Sequence, residues 1–267
     1  MGDFDERMRV YEEVETKRRC MPLLPVCARL DGRSFHSLTR GLERPYDASF
    51  RTLMLDTLKY LVQETNASMG YTQSDEISLV WCSEKSKSQI FFDGKIQKMV
   101  STLSAMCSVY FINALGHFFP ERVSLLPTFD CRVWQVPTLM EAANVFLWRE
   151  QDATRNSVSM AAHSVYSHKD LTGKNLKQMQ EMLFEKGINW NDYPAFFKRG
   201  LFVQKFKVRR SFTPDEIDKL PLKHEARNTP NFVLERSKVR TVDMPPFAKV
   251  INRVDVIFKG SDPTIAE

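Results

Sequence analysis

Apolar residues recur along the first half of the chain with two different periods, one typical of strands and one typical of helices. A short continuous apolar run at 23–30 ends at Asp31-Gly32, which is typical of a buried strand. Longer segments with apolar residues three and four positions apart predict amphipathic helices. The predicted elements are, in order, a strand at 23–30, a helix at 47–64, strands at 68–73 and 77–82, a helix at 95–115 and a strand at 128–136.

This order, βαββαβ, is that of the ferredoxin-like fold. We therefore predict an α+β protein in which residues 1–137 form a sheet-based core, preceded by a charged helix at 4–18. Residues 138–267 begin with a further helix and include a strand at 201–209, so we expect a helical and mixed α/β region packed on the core. Beyond residue 225 the pattern predicts only short strands and loops.

Two acidic residues lie at the ends of strands that this fold makes neighbours. Asp31 closes the first strand and Asp75 opens the third, with Glu76 directly after it. The first and third strands are antiparallel and about 4.8 Å apart, so both carboxylates should meet at one edge of the sheet. Paired carboxylates repel each other unless they share a proton or bind a cation. The arrangement predicts a magnesium site, although each acidic turn taken singly is more typical of an ordinary polar turn.

The residues that follow Asp31 are suited to a triphosphate. Gly32 allows a sharp turn and brings its carbonyl close to a metal ion. The next four residues are Arg33, Ser34, Phe35 and His36. They offer backbone amides and polar side chains to phosphate oxygens, although His36 is equally compatible with a structural histidine. In phosphoryl displacement, two Mg²⁺ ions about 3.5–4 Å apart activate an attacking oxygen and stabilise a leaving oxygen.

The composition of the chain predicts where the protein is located and which kinds of partner it has. The chain of 267 residues is 43% hydrophobic and 27% charged, as in globular proteins. We identify no run that approaches the roughly 18 apolar residues of a membrane span, and we expect no membrane partner. Five scattered cysteines without a Cys-x-x-Cys motif predict free thiols and a cytoplasmic protein. A net charge of +5 permits a polyanionic partner without requiring one.

Basic side chains cluster best on the predicted strand at 201–209. Lys205, Lys207 and Arg209 alternate onto one face, where they are able to contact RNA phosphates. An edge strand protected by lysines gives the same pattern. Lys98 lies off the apolar stripe of its helix, so it either reaches triphosphate oxygens or belongs to a solvated helix face.

Two segments together resemble a known family. Residues 29–36 (Arg-Leu-Asp-Gly-Arg-Ser-Phe-His) and 71–76 (Tyr-Thr-Gln-Ser-Asp-Glu) closely resemble the tRNA-histidine guanylyltransferases, which are 3′-to-5′ RNA polymerases. The likeness extends from about residue 25 to 210. Further segments that fit in order are 44–47 (Arg-Pro-Tyr-Asp), Lys98, 129–132 (Phe-Asp-Cys-Arg) and 148–152 (Trp-Arg-Glu-Gln-Asp).

The resemblance implies a polymerase-type palm that binds two Mg²⁺ ions, uses ATP and GTP as substrates and acts on tRNA as a homotetramer. The implied metal ligands are Asp31, the Gly32 carbonyl and Asp75, and the catalytic residues are Asp31, Asp75 and Glu76. Nucleotide contacts are expected from residues 31–36, Arg44, Asp47, Ser74, Asp75 and Lys98. RNA contacts are expected from Arg29, Arg132, Arg155, Lys205, Lys207 and Arg209.

The reaction that the resemblance implies begins with activation of a tRNA 5′-monophosphate by ATP or GTP, and the 3′-hydroxyl of an incoming nucleotide then attacks the activated end. At 154–157 the chain has Thr-Arg-Asn-Ser, where members dedicated to histidine tRNA have His-Ile-Asn-Asn. This departure resembles the guanylyltransferase-like branch of bacteria and archaea, which favours templated repair of 5′-truncated tRNAs. Two alternatives remain: a nucleotide cyclase or cyclic-dinucleotide synthase on a related palm, and a non-catalytic RNA-binding module.

Overall fold

A six-stranded antiparallel sheet runs through the computed structural model, which describes residues 2–83, 85, 89–229 and 232–266. The strand order across the sheet is β4-β1-β3-β2-β5-β6. The strands are β1 (Val26–Arg33), β2 (Met69–Gln73), β3 (Glu76–Trp81), β4 (Thr128–Gln135), β5 (Leu201–Ser211) and β6 (Val233–Val242).

Helices connect the strands and cover both faces of the sheet. They are α1 (Gly2–Thr16), α2 (Phe35–Leu38), α3 (Ala48–Glu64), α4 (Ile96–Phe118), α5 (Leu139–His163), α6 (His168–Leu171), α7 (Leu176–Glu185), α8 (Ala195–Arg199), α9 (Pro214–Asp218) and α10 (Arg253–Phe258). Short 3-10 turns lie at Phe91–Gly94, Pro120–Leu125, Trp190–Asp192, Glu225–Arg227 and Phe247–Lys249. All four strands and both helices predicted for the first half are therefore present, with ends within three residues of the predicted ones.

The main core lies between the sheet and the pair α3 and α4. The apolar stripe of α3, which includes Leu53, Leu58 and Leu61, is fully buried against inward-facing strand residues such as Leu30 and Ile77. The Asp47 side chain begins α3 by accepting a hydrogen bond of 2.9 Å from the Phe50 amide, as its N-cap position predicts. This core fixes the face of β1 that does not carry the Asp31 side chain.

A second core lies on the opposite face of the sheet, under α5. Buried residues of α5 such as Ala143 and Phe146 pack on Met69 of β2 and Val80 of β3. The C-terminal segment returns to this core, where Phe247 is fully buried. Both faces of the sheet are therefore covered, and α5 lies on the same face as the Asp31 side chain.

Helix α4 corrects one expectation. Among the described residues it is the single helix that is long and apolar enough to cross a membrane by length and composition. The prediction that no segment approaches that length is therefore wrong. Core helices meet the same test, and the apolar stripe of α4, including Met99, Leu103 and Phe111, is buried against the sheet.

The C-terminal half contains more regular structure than its sequence predicts. Strand β6 pairs with β5 along its whole length, from Phe202 opposite Val242 to Ser211 opposite Val233. Strand β5 is thus an inner strand, and the alternative that lysines protect an edge strand there is wrong. The apolar residues of β6 do not alternate, which is why its pattern does not predict a strand. Because β5 pairs with β2, the sheet also runs across the predicted division near residue 137, which remains a prediction.

Candidate metal and nucleotide site

Three acidic side chains form a row across neighbouring strands at one end of the sheet. Asp31 of β1 is paired with Glu76 of β3 on one side and with Asp130 of β4 on the other. Antiparallel partners project from the same face of a sheet, so these carboxylates share the face that α5 covers. Asp75 occupies the turn before β3, and its carbonyl accepts a hydrogen bond of 3.1 Å from the Gly32 amide. The two predicted carboxylates, Asp31 and Asp75, therefore lie at one edge.

The charges at this edge are not balanced. Burial raises the pKa of Asp75 above its usual value, hydrogen bonds from its own backbone amide and from Ser74 act against that shift, and the negative charge of Asp31 adds to it. Within the described part of the chain, Asp31 and Asp75 form no ion pair. A cation at this edge would relieve the repulsion between the two carboxylates.

The donor set fits magnesium better than a metal held by protein alone. The described residues contain no group of three or more His, Cys, Asp or Glu side chains arranged to hold a metal ion. The protein offers two carboxylates, Asp31 and Asp75, with the Gly32 backbone beside them. Mg²⁺ characteristically takes one or two carboxylates and completes its octahedron with water and substrate phosphates.

Asp130 was not singled out from the sequence. It lies directly opposite Asp31, and its carboxylate is half exposed and 3.6 Å from the Arg132 guanidinium. Asp130 is identified by the register of β4 against β1. The pattern of apolar residues in the sequence predicts the strands but not which of their residues are paired.

Glu76 is held in a buried ion pair. Its two carboxylate oxygens accept hydrogen bonds of 2.6 and 2.7 Å from Arg149 of α5, which also binds Asp152 at 2.8 Å. Burial raises the pKa of Glu76, while the hydrogen bonds and charge of Arg149 oppose that shift. The carboxylate of Glu76 is therefore engaged with α5, and its position next to Asp75 makes it a support for the Ser74-Asp75 turn. Its predicted catalytic role stays a prediction.

The segment after Asp31 combines a buried anchor with exposed polar groups. The ring of Phe35 packs 5.3 Å from Phe111 and 4.9 Å from Phe129, so its side chain belongs to the core and is not available to a ligand. A Cβ at position 32 would lie 2.5 Å from the Phe35 ring, so this close approach requires glycine. Arg33, Ser34 and His36 are exposed at the same edge.

A cavity of about 350 Å³ begins beside Ser74. Three predicted nucleotide-binding residues, Arg44, Asp47 and Ser74, line it together, whereas the sequence placed them in separate segments. Its walls combine aromatic, aliphatic and polar side chains, and cavities of this size and mixed lining hold small ligands. The lining includes four aromatic rings and a guanidinium, those of Tyr46, Phe50, Arg51, Phe196 and Phe197.

Two arginines project from the face of the sheet that carries Asp31, two residues further along their strands from the Asp31–Asp75 edge. Arg29 of β1 is paired with Arg132 of β4, so two guanidinium groups project from the same face of neighbouring strands. The Arg29 guanidinium lies 5.6 Å from the ring of Trp148, an exposed residue of α5 that sequence reasoning did not select. Like charges directly opposite each other are destabilising, which suits a surface that binds phosphate.

The remaining predicted cations lie apart from this edge or already have partners. Lys98 is an exposed residue of α4 that forms no ion pair with the described residues, and no contact joins it to the carboxylates. Arg155 binds Asp152 at 3.0 Å. Lys205 donates hydrogen bonds of 3.0 and 2.9 Å to the backbone and side chain of Asn66.

Lys207 and Arg209 share one acidic partner. Their distances to the carboxylate of Glu235 on β6 are 2.7 and 2.9 Å. The face predicted from their alternation exists, but its charge is partly neutralised.

The chain is similar to known proteins in both sequence and structure. The family model described as tRNAHis guanylyltransferase matches residues 5–137. An uncharacterized protein, R259, of Acanthamoeba polyphaga mimivirus is 30% identical over 206 residues, covering 68% of this chain and 70% of that protein. The tRNA(His) guanylyltransferase of Saccharomyces cerevisiae is 27% identical over 211 residues, covering 72% of this chain and 87% of the relative.

Solved structures agree with these matches. A bacterial tRNA(His) guanylyltransferase (Thg1)-like protein in complex with ATP superimposes with a TM-score of 0.71 and 38% identity, covering 76% of this chain and 86% of the other. A bacterial protein of the same description in complex with GTP gives a TM-score of 0.70 and 30% identity, covering 92% and 94%. The mixed α/β fold with its antiparallel sheet is thus similar to that of these proteins.

Proposed function

The chain belongs to the tRNA(His) guanylyltransferase family, and on this premise we propose that it is a nucleotidyltransferase that adds nucleotides in the 3′-to-5′ direction to the 5′ end of tRNA. The observation that carries the proposal is the meeting of Asp31, Gly32 and Asp75 beside a cavity of about 350 Å³. The bacterial relatives with similar folds bind ATP and GTP, which supports nucleoside triphosphates as substrates.

The first four strands form, in this proposal, a ferredoxin-like palm of the polymerase type. Their order β4-β1-β3-β2, with α3 between β1 and β2 and α4 between β3 and β4, supports the assignment. The palm supplies a rigid edge for chemistry, since Asp31 is held by strand pairing on both sides.

Asp31, the Gly32 carbonyl and Asp75 would hold two Mg²⁺ ions. When bound, such ions favour the attacking hydroxyl and offset charge on the leaving phosphate. The protein holds the carboxylates in place: β3 and β4 flank Asp31, and the Arg149–Glu76 pair braces the turn that carries Asp75. No protein side chain acts as a nucleophile, because the attacking group is the 3′-hydroxyl of the incoming nucleotide.

Polar groups around the carboxylates orient the substrates. Exposed Arg33, Ser34 and His36 would contact the triphosphate, together with Ser74 at the mouth of the cavity. Arg29 and Arg132 would contact phosphates of the tRNA end, because they project from the same face one row away. Lys98, Arg155, Lys205, Lys207 and Arg209 belong to the wider proposed nucleotide and RNA surface.

Repair of 5′-truncated tRNA is the proposed role, with nucleotide choice set by the opposing template base. Two observations support it over guanylate addition to histidine tRNA alone: Thr-Arg-Asn-Ser at 154–157 and the likeness to bacterial guanylyltransferase-like proteins. A homotetrameric assembly and a cytoplasmic location complete the proposal.

The test uses tRNAs that lack their first nucleotide and carry a labelled 5′-monophosphate, with the four triphosphates supplied one at a time. Incorporation that follows the opposing base supports templated repair. Guanosine addition restricted to histidine tRNA would replace repair with the narrower reaction. Cyclic products from ATP or GTP without RNA would favour a cyclase, and binding of tRNA without any product would favour a non-catalytic module.

A further inference from the structure

Arg51 is a cation that the proposed reaction leaves without a role. It lies one turn beyond Asp47 in α3 and lines the cavity beside Ser74. Its Nε is buried and has no hydrogen-bond partner among the described residues. Because Nε is enclosed by protein, a ligand in the cavity would meet the outer nitrogens of the guanidinium, and an unpaired cation that lines a cavity is available to an acceptor.

Two carboxylates line the same cavity, those of Glu43 and Asp47, and neither forms an ion pair with Arg51. Asp47 accepts hydrogen bonds from the amides of Phe50 at 2.9 Å and Glu43 at 3.4 Å, so it is engaged with backbone. No ion pair joins Arg51 to any described residue. The guanidinium lies against Phe196, whose ring centre is 5.0 Å from the guanidinium carbon.

The surroundings of Arg51 favour a planar ring as the ligand. Phe196 lies 5.0 Å from Tyr46, and Tyr46 lies 5.1 Å from Phe197, so aromatic rings line the same part of the cavity. The phosphates of a nucleotide belong at the Asp31–Asp75 edge, which the cavity reaches at Ser74. Arg51 is therefore placed among the rings that would enclose a base.

We infer that Arg51 recognises the base of the nucleoside triphosphate in this cavity by donating hydrogen bonds to N7 and O6 of guanine. A guanidinium donates only, and guanine presents two adjacent acceptors, whereas adenine presents an acceptor at N7 and an amino donor at N6. Arg51 is accordingly a specificity-determining residue that favours GTP over ATP as the triphosphate that activates the tRNA 5′ end, while the opposing template base still selects the nucleotide that is added. The inference rests on the proposed function, because it needs a triphosphate in this cavity.

The test measures dissociation constants by calorimetry in the presence of Mg²⁺ for GTP, 7-deaza-GTP, ATP and UTP. The wild-type protein should bind GTP about tenfold more tightly than 7-deaza-GTP, which lacks N7. Arg51→Met should weaken GTP binding about tenfold and remove this preference. Arg51→Lys, which keeps the charge but not the planar fork, should retain only part of it.

Arg7→Met is the matched control, because the Arg7 guanidinium also lies against a phenylalanine, Phe4, but in the exposed helix α1. It should bind all four nucleotides like the wild type. Circular dichroism melting of Arg51→Met should show cooperative unfolding close to that of the wild type, since the substitution removes the contact with Phe196 but no hydrogen bond of Nε.

Two results would overturn the inference while the proposed function stands. The first is an Arg51→Met protein that keeps the preference for GTP over 7-deaza-GTP. The second is an equal loss of affinity for GTP, 7-deaza-GTP and UTP, which would place the guanidinium on a phosphate or ribose. If the wild-type protein binds no triphosphate at all, the proposed function itself fails, and the inference fails with it.

Discussion

The Asp31–Asp75 edge and the outer part of the β5–β6 pair carry comparable numbers of charged side chains but differ in how far those charges are paired. At the edge, Asp31 and Asp75 form no ion pair with the described residues, and burial raises the pKa of Asp75 with a smaller contribution from the charge of Asp31. On β5 and β6, Lys207 and Arg209 share Glu235, and Arg210 binds Glu216 at 2.6 Å. Unbalanced charge held by a rigid sheet indicates a ligand site, whereas balanced charge on a solvent-exposed pair of strands indicates a surface.

The largest effect that this comparison predicts is on catalysis at the edge. Asp31→Asn or Asp75→Asn should reduce nucleotide addition to truncated tRNA on the order of a thousandfold, because each removes a proposed metal ligand. Folding stability should stay equal or rise, since each substitution also removes repulsion between carboxylates. Turnover assays and thermal melts on the same preparations check both parts. Loss of activity together with a large fall in melting temperature would instead make these acids structural.

The second largest effect is predicted for Glu76, the acidic residue at this edge that forms an ion pair with α5. Arg149→Met should destabilise the protein by about 4 kcal/mol, because it leaves the buried carboxylate of Glu76 without its cation. Urea unfolding measures the change. Adding Glu76→Leu to Arg149→Met should restore part of the stability, because the unpaired carboxylate of Glu76 is then gone and Asp152 keeps Arg155 as its partner. A double variant less stable than Arg149→Met would contradict the pairing.

Glu150, which follows Arg149, provides a pH-dependent test away from both regions. Burial raises its pKa to about 7, while the amide of Phe247 and the charge of Arg199 oppose that shift. The folded carboxyl thus keeps its proton at pH values where the unfolded one has lost it. Its contribution to stability is complete below about pH 4.5 and declines as the pH rises to about 7, by about 3 kcal/mol in total.

The matched control for that decline is Glu150→Gln, which removes the titrating group and keeps an oxygen for the Phe247 amide. The stability of the variant relative to the wild type should increase across pH 4.5 to 7 in urea titrations. A difference that is constant with pH would show that Glu150 ionises normally.

The smallest effect is expected on β5 and β6. Glu235→Gln should leave stability close to that of the wild type, because the pairs it breaks are exposed. It should raise affinity for tRNA about two- to threefold at low salt, by freeing two cations for phosphate, and less at high salt. Filter binding over a salt series measures this. Unchanged affinity at every salt concentration would remove Lys207 and Arg209 from the proposed RNA surface.

The sequence predicts the first half of the fold because its apolar periods are regular and its segments are bounded by caps and turns. The meeting of Asp31 and Asp75 follows from strand order, although the prediction that Asp31 closes β1 is wrong, because the strand pairing continues to Arg33. Phe35 shows the limit of this reasoning: its neighbours are exposed, and only the packing of Phe111 and Phe129 reveals that its ring is in the core.

Contacts between distant segments could not be predicted. Arg149 and Glu76 are 73 positions apart. Which charged residues of α5 meet the sheet depends on how the helix packs, and the spacing of residues along the helix does not reveal it. Arg51 was missed for the same reason, because its cavity is completed by Phe196 from α8. Strand β6 was missed because strand pairing with β5, not its own alternation of residues, holds it in place.

The hydrogen bonds from the Phe247 amide to both oxygens of Glu150 have a consequence for synthesis of the protein. Glu150 is adjacent to the arginine that braces the Asp75 turn, and its amide partner lies 97 positions later. While the ribosome still holds the last part of the chain, α5 has its charged residues but not the segment that covers Glu150. A product shortened after residue 242 would therefore retain every proposed metal ligand but leave the Glu150 carboxyl without its amide partner, so the support behind the site is complete only after the segment that contains Phe247 has folded onto α5.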